Sequence, residues 1–139
     1  MKQQSGFTLV ELVAVLVILG ILAATAVPKF IDLSDEASQA SVDNLAGSLE
    51  SASSLNYAVY VAVQAGLTTE TTDPVVTVNS CTLSDLNNLL QSPLDTTQYS
   101  SAVSSGTFTN PGDSVVCTLT GPTPKSDTAD FAVIATASP

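Results

Sequence analysis

Residues 6–28 read GFTLVELVAVLVILGILAATAVP, and this stretch decides what the rest of the chain can be. Between Phe7 and Val27 the only ionisable side chain is that of Glu11. A helix rises about 1.5 Å per residue, so this run would be roughly 30 Å long, the thickness of the hydrocarbon core of a bilayer. We therefore predict a membrane-spanning helix with a carboxylate near its start, which a plain anchor does not explain.

The sequence GFTLVE at residues 6–11 resembles the processing site of type IV prepilins. In that family a short leader ends in glycine, and a membrane aspartyl peptidase cuts after it and methylates the new amino terminus. The exposed residue is usually phenylalanine, and the fifth residue of the mature chain is glutamate. The resemblance implies cleavage between Gly6 and Phe7, N-methylation of Phe7, and a role for Phe7 and Glu11 in assembly.

The helical sequence that follows resembles the pilin helix through about Gly66, most closely that of the mannose-sensitive haemagglutinin pilins. The match includes Gly20 and Pro28. Proline removes a backbone donor and glycine weakens a helix, so we expect a kink or soft segment there. Two interpretations remain open: harmless bending, or a segment that unwinds when the subunit leaves lipid for a filament.

Two plainer interpretations compete for the same stretch. A secretory signal peptide has an apolar core of about 7–15 residues followed by a small-residue cleavage site, and AATA at residues 23–26 could pass for one. The apolar run is longer than that, however, and Glu11 interrupts its start. An ordinary membrane anchor is the other interpretation.

The composition excludes several classes of function. Thirteen acidic residues stand against three basic ones, for a net charge of −10, and there is no histidine. Such a surface repels nucleic acid, because binding to nucleic acid depends on Lys and Arg neutralising phosphates. Triads and metal sites built on histidine are excluded, so we expect no enzyme activity and no cofactor. Asp113, Asp127 and Asp130 could hold calcium, but they lack the spacing of a known calcium loop, and no metal site is predicted.

The position of the lysines bears on orientation. Lys2 is the only basic residue before the apolar run, and Lys29 follows it. The positive-inside tendency places the N-terminus in the cytoplasm, although the orientation rests mainly on the family resemblance. The resemblance implies a single-pass precursor in the bacterial inner membrane and then an extracellular pilus. Cys81 and Cys117 would then lie in an oxidising compartment.

Apolar residues continue in three- and four-residue steps after Pro28, which predicts an amphipathic continuation of the helix. A stop is expected at Gly66 and the threonines that follow it. Asp43 and Glu50 fall off the apolar stripe and should face water or a neighbour. The stripe consists of Val42, Leu45, Leu49, Ala52, Val59 and Val63.

The remainder of the chain reads as a small β-rich head. Strands are expected at 75–78, 114–120 and 131–136, with a hairpin marked by Gly106 and a loop at 121–124. Thr82 and Asp85 have the spacing of a capping box, which predicts a short helix through about Gln91. The expected organisation is a leader (1–6), a transmembrane and filament-core helix (7–28), its amphipathic continuation (29–66) and a globular head (67–139).

The two cysteines favour a disulfide. Closing the loop between Cys81 and Cys117 would contribute about 4 kcal/mol by chain-entropy arithmetic, with two buried free thiols as the alternative. By resemblance, the bridge would outline the variable loop of the family.

These features predict an α+β protein: a long N-terminal helix whose amphipathic half packs on a small antiparallel sheet, with one disulfide. The resemblance implies the major subunit of a type IV pilus for adhesion or motility. Its partners would be further copies of itself, the prepilin peptidase and the pilus assembly machinery of the inner membrane, with no nucleic acid bound by its own surface. A type II secretion pseudopilin, or a minor pilin acting as a tip adhesin, is the alternative.

Overall fold

A computed structural model describes residues 7–67 and 75–137. At positions 27, 28 and 30–32 it describes only the backbone. The chain divides into two compact units, residues 1–37 and residues 38–139, and the first helix contributes to both. The predicted α+β architecture is confirmed. The elements are helix α1 (Leu9–Gln64), helix α2 (Leu83–Leu86), a 3₁₀ turn (Asn87–Leu89), and strands β1 (Ser100–Ser105), β2 (Ser114–Thr120) and β3 (Thr128–Ile134).

In the first unit, α1 carries the apolar run. Within the described residues, Leu9–Ala26 is the one helical segment long and apolar enough to cross a membrane. The helical assignment continues without a break through Gly20 and Pro28. The hydroxyl of Thr25 donates to the carbonyl oxygen of Leu22 at 3.0 Å, so this polar side chain needs no water as a partner.

The end of α1 is a glycine stop, as the sequence predicts. Gly66 has a φ of +76°, a left-handed conformation that glycine adopts at little cost. The N–H of Leu67 donates to Ala62 and that of Gly66 to Val63, both at 3.0 Å. These two bonds form a Schellman motif, which satisfies carbonyl groups that the helix end would otherwise leave without partners.

In the second unit, α1 packs one narrow stripe against the sheet. Val42, Ala46, Leu49 and Ser53 are buried, at steps of four, three and four residues. The predicted stripe is therefore correct at Val42 and Leu49, and the half-buried Leu45 packs against the core, whereas Val63 is 44% exposed. Among the described residues, no fully buried side chain lies on α1 beyond Ser53, so the last helical turns pack only partly against the rest of the chain.

The three strands form one antiparallel sheet in the order β1-β2-β3. Strand β2 alternates buried and half-buried residues from Val115 to Thr120, as a strand with one face on the core should. Cys117 is paired with Val103 on one side and Phe131 on the other. The predicted strand at 114–120 and the hairpin around Gly106 are confirmed; β1, whose sequence is SSAVSS, was not predicted.

Two strand predictions need correction. Residues 75–79 form no strand, although Val78 is fully buried. Several of their backbone groups bond to side chains: the Asn56 amide donates to the Val76 carbonyl at 2.8 Å and accepts from the Val76 N–H at 2.9 Å. Within the described chain, their one backbone partner is Thr136, whose N–H donates to the Val78 carbonyl at 3.1 Å. The Thr136 hydroxyl accepts from the Val78 N–H at 2.9 Å. The second correction concerns the strand predicted at 131–136. Strand β3 begins at Thr128 and ends at Ile134, so Thr136 lies outside it.

The short helix begins at Leu83 as predicted but does not extend to Gln91. Helix α2 ends at Leu86 and a 3₁₀ turn ends at Leu89. The Thr82 side chain makes no capping bond to the helix backbone. The Asp85 carboxylate instead accepts from the hydroxyl of Ser80, so the expected capping box does not form.

The disulfide is confirmed. Cys81 and Cys117 are bonded, with their Cα atoms 5.8 Å apart and both residues buried. The bridge joins the segment before α2 to the centre of β2. It lies in a core shared by α1, α2 and the sheet, whose largest fully buried side chains include those of Leu49, Leu86, Leu119 and Val133.

Candidate processing and assembly site

The candidate site is the start of α1, where the predicted cleavage position meets the apolar helix. Gly6 lies outside the described residues, and Phe7 is the first residue described, with 86% of its surface exposed. Helix α1 begins at Leu9, so Thr8 is its N-cap and Glu11 its third helical residue. The two predicted assembly residues, Phe7 and Glu11, therefore flank the N-terminal end of α1, four positions apart.

Thr8 and Glu11 form a capping box. The Thr8 N–H and the Thr8 hydroxyl both donate to Oε2 of Glu11, each at 2.8 Å. The Glu11 N–H in turn donates to the Thr8 hydroxyl oxygen, with 3.3 Å between the nitrogen and the oxygen. A helix start leaves its first N–H groups without partners, and this reciprocal arrangement satisfies two of them. A carboxylate in the first turn also interacts favourably with the helix dipole.

Thr8 is a site residue that was not predicted. The signal was present, because Thr8-Leu9-Val10-Glu11 is the pattern of threonine followed three residues later by glutamate before an apolar run. The same pattern occurs at Thr82, where the predicted box does not form, whereas at Thr8 the box forms. Glu11 thus has a role in starting the helix, separate from any role in assembly.

The helix that follows the cap exposes its apolar side chains on every face. No residue of Leu9–Ala26 is buried. Its large side chains are 50–78% exposed from Leu9 through Leu22. An unpaired apolar helix of this length would be unstable in water, so it requires lipid or other apolar helices around it.

Gly20 and Pro28 are the other predicted assembly residues. A Cβ added at Gly20 would meet nothing within 4 Å, so no contact in the described chain requires glycine there. Pro28 lies within α1, and its side chain is not among those that the structure describes. Their predicted roles in assembly therefore remain predictions.

Two of the acidic residues considered for calcium, Asp113 and Asp130, have separate hydrogen-bond partners. Asp113 accepts the N–H groups of Thr109 and Asn110, at 2.9 and 2.7 Å. The hydroxyl of Thr118 donates to Asp130. In residues 7–67 and 75–137, no group of three or more His, Cys, Asp or Glu residues is placed to hold a metal ion.

Comparison with known proteins finds similarity in the N-terminal region of the chain. A family model described as the prokaryotic N-terminal methylation motif matches residues 1–27. The chain carries the methylation motif of prepilins. The matched residues cover the predicted leader, the predicted cleavage position, the capping box and the apolar helix.

Two curated relatives extend the match along α1. The "Type IV narrow pilus major component PilA5" of Thermus thermophilus is 50% identical over 64 residues, which are 46% of this chain and 52% of that protein. The "Type II secretion system core protein G" of Pseudomonas aeruginosa is 41% identical over 70 residues, 48% of this chain and 49% of that protein.

The chain spans about half the length of these relatives. No solved structure matches it at a significant level.

The two curated relatives and the methylation motif show that the N-terminal region is homologous both to a type IV pilin and to a type II secretion pseudopilin. This is consistent with a type IV pilin precursor.

Proposed function

We propose that this chain is the precursor of a filament subunit, the major structural pilin of a type IV pilus. The observation that carries the proposal is the prepilin methylation motif leading directly into a capped helix with an exposed apolar surface on all sides. The subunit is stored in the inner membrane with its leader in the cytoplasm, and after export it forms part of an extracellular pilus. This role is structural and needs neither a cofactor nor enzyme activity.

Assembly transfers the apolar helix from one apolar environment to another. In the bilayer, lipid covers Leu9–Ala26; in a filament, the same segments of neighbouring copies cover it. The apolar surface stays out of water in both states, so the transfer does not lose the burial free energy of about 25 cal/mol per Å². Polymerisation of identical helices thereby gives a filament core without any additional protein.

Glu11 is the residue that makes this assembly specific. In the described chain its bonds to Thr8 use Oε2, and a carboxylate has two oxygens that can each accept more than one hydrogen bond. Cleavage after Gly6 creates an ammonium group on Phe7. In the water-poor filament core, the amino terminus of an incoming Phe7 pairs with Glu11 of a preceding copy, because an unpaired buried charge is strongly unfavourable.

The partners of the proposed subunit follow from this sequence of events. They are the prepilin peptidase, which cleaves and methylates the precursor, the assembly machinery of the inner membrane, and further copies of the chain. The assembled filament serves adhesion or motility.

A pseudopilin of type II secretion is the second candidate, and the relationship to core protein G favours it. A minor pilin at a filament tip is the third. The three differ in where and how much of the mature chain reaches the cell surface. A major pilin is abundant in the sheared surface fraction, a minor pilin is present in traces, and a pseudopilin is absent from it.

The deciding experiment shears filaments from cells that make this chain as their only pilin and analyses them by mass spectrometry. We expect an abundant protein that begins with N-methylated Phe7, and only uncleaved chain in cells without prepilin peptidase. A cytoplasmic marker protein controls for lysis. An N-terminus at Met1 in the surface fraction, or cleavage near Ala26, would contradict the proposal.

A further inference from the structure

The two edges of the sheet are treated differently by the rest of the chain. Strand β3 is covered by polar side chains from α1. The Ala132 N–H donates to Oε2 of Glu50 at 3.1 Å, and the Ile134 N–H donates to the hydroxyl of Ser53 at 2.8 Å. Gln39 donates to the carbonyl oxygen of Thr128 at 2.9 Å. The helix therefore occupies backbone groups of β3 that a further strand would need.

Strand β1 forms the opposite edge and is open. In the sheet of the described chain its one neighbouring strand is β2. All its residues except the half-buried Ser101 are exposed, including Val103 at 52%. Its sequence, SSAVSS, contains no Lys, no Pro and no charge, which are the usual means of keeping an edge strand from pairing with another chain.

One protective feature is present, and it limits the length of the open edge. The register of β1 against β2 shifts between Val103 and Ser105, so the regular part of the strand is Ser100–Val103. A bulge bends a strand and interrupts its ladder. Any partner strand therefore has about four residues available, and a single pairing of this length is marginal by itself.

The charge distribution indicates what the partner is. The chain has a net charge of −10, yet residues 96–112, which contain β1, include no charged residue. Two copies can therefore bring their β1 edges together without placing carboxylates opposite one another, whereas like charges directly opposite destabilise a strand pair. A basic partner would gain nothing at this edge and would bind an acidic surface elsewhere.

We propose that the open edge of β1 pairs with β1 of a second copy of this chain, in antiparallel orientation across Ser100–Val103. The proposal rests on the proposed filament function for its consequence. A self-pairing edge is an isologous contact, which needs a twofold axis between the copies, while subunits of one filament are related head to tail by its screw axis. The β1 pair therefore joins subunits of two different filaments.

The weakness of one pair fits this arrangement. Four residues on each side bind too weakly to dimerise the free subunit, but two aligned filaments repeat the contact many times. Once one pair forms, the next is effectively intramolecular, so the overall association far exceeds that of a single contact. The β1 edge thus acts as a lateral bundling surface.

The test compares sheared filaments of the full chain carrying Ala102→Lys with those carrying Ser92→Lys, by negative-stain electron microscopy. Ala102 is exposed in the regular part of β1, and Ser92 is exposed outside the sheet. Each variant adds one positive charge to an acidic filament, which by net charge alone would favour bundling. We expect Ala102→Lys to lose bundles while its filaments persist, and Ser92→Lys to keep them.

A second measurement uses the wild-type chain and does not depend on a variant that assembles. Amide hydrogen exchange within Ser100–Val103 should be slower in bundled filaments than in dispersed ones. Unchanged exchange there, or normal bundles of Ala102→Lys, would overturn the β1 contact. Wild-type filaments that never bundle would overturn it as well. Failure of the wild-type chain to form filaments at all would instead overturn the proposed function on which the contact rests.

Discussion

Gly121 and Val42 are packed so closely that a methyl group between them has no room. A Cβ built on Gly121 would lie 2.7 Å from Cγ2 of Val42, and both residues are buried. Gly121 begins the loop between β2 and β3, and Val42 begins the buried stripe of α1. The contact therefore sets how closely this loop approaches the helix.

Gly121→Ala should destabilise the folded head by about 1–3 kcal/mol, the usual cost of overpacking a core. Because Val42 is the side chain in the way, Val42→Ala in the same molecule should recover part of the loss, so the two changes should not be additive. Chemical denaturation of a soluble fragment without residues 1–28 measures both. Gly47→Ala is the matched control: nothing lies within 4 Å of its added Cβ, and alanine in a helix should be neutral or stabilising by up to about 1 kcal/mol. Equal effects at Gly121 and Gly47 would contradict the packing argument.

Glu11 completes the cap of α1 and has a proposed role in assembly, and substitutions can separate the two. Glu11→Gln keeps a side chain able to complete the capping box but removes the charge, whereas Glu11→Ala removes both. Both variants should insert and be processed, yet give few or no filaments when present as the only copy, because the ammonium group of Phe7 loses a partner worth about 3–5 kcal/mol. Sheared filaments at matched cellular protein levels measure this.

Thr8→Ala is the complementary variant, since it keeps the carboxylate and weakens the cap, at a cost of about 1 kcal/mol. It should assemble better than Glu11→Gln. Wild-type amounts of filament from Glu11→Gln would show that the cap, and not the charge, is what assembly requires.

The Cys81–Cys117 bridge should act on stability alone. Replacing both residues by serine should lower the unfolding free energy of the soluble head by about 4 kcal/mol, because the unfolded chain gains the freedom that the closed loop removes. Thermal denaturation with and without reductant provides an internal control: reductant should lower the melting temperature of the wild type and leave the double variant unchanged. Two titratable thiols in the native wild type, with unchanged melting of the variant, would reject the prediction.

Asp95 should titrate below the ordinary range of an aspartate. The Thr97 hydroxyl and then the Thr97 N–H donate to its carboxylate, and these bonds lower the pKa of Asp95. The ionised form is therefore favoured in the folded state, so its stabilising effect is complete above the unfolded pKa of about 3.9 and is lost as the pH falls through the lower folded pKa.

Thr97→Val removes the hydroxyl donor and keeps the N–H, so the pKa of Asp95 should rise part of the way back. An NMR titration of the Asp95 carboxyl carbon in the soluble head measures the shift. Thr96→Val, at the adjacent exposed position, should leave it unchanged. A Thr97→Val titration identical to that of the wild type would show that the hydroxyl bond does not persist in solution.

Some elements of this protein follow from local sequence. The membrane-length apolar run, the helix start at Thr8 and the glycine stop at Gly66 depend on residues within a few positions of one another, as helix bonds do. Strand β2 follows from its own alternation. These features could therefore be predicted without knowing what lies nearby in space. The disulfide was predicted from the presence of two cysteines and the expected oxidising compartment, although the fold brings together residues 36 positions apart.

Other features were decided by partners distant in the sequence. Residues 75–79 have the composition of a strand, but Asn56 and Thr136 take their backbone groups, so no ladder forms there. Strand β1 has little apolar signal, and its pairing with β2 places it in the sheet. Glu50 looks like a water-facing acid until the fold brings it against Ala132. A hydrogen bond does not depend on sequence separation once the chain has folded, so tertiary structure alone determined which edge of the sheet is covered and which is open.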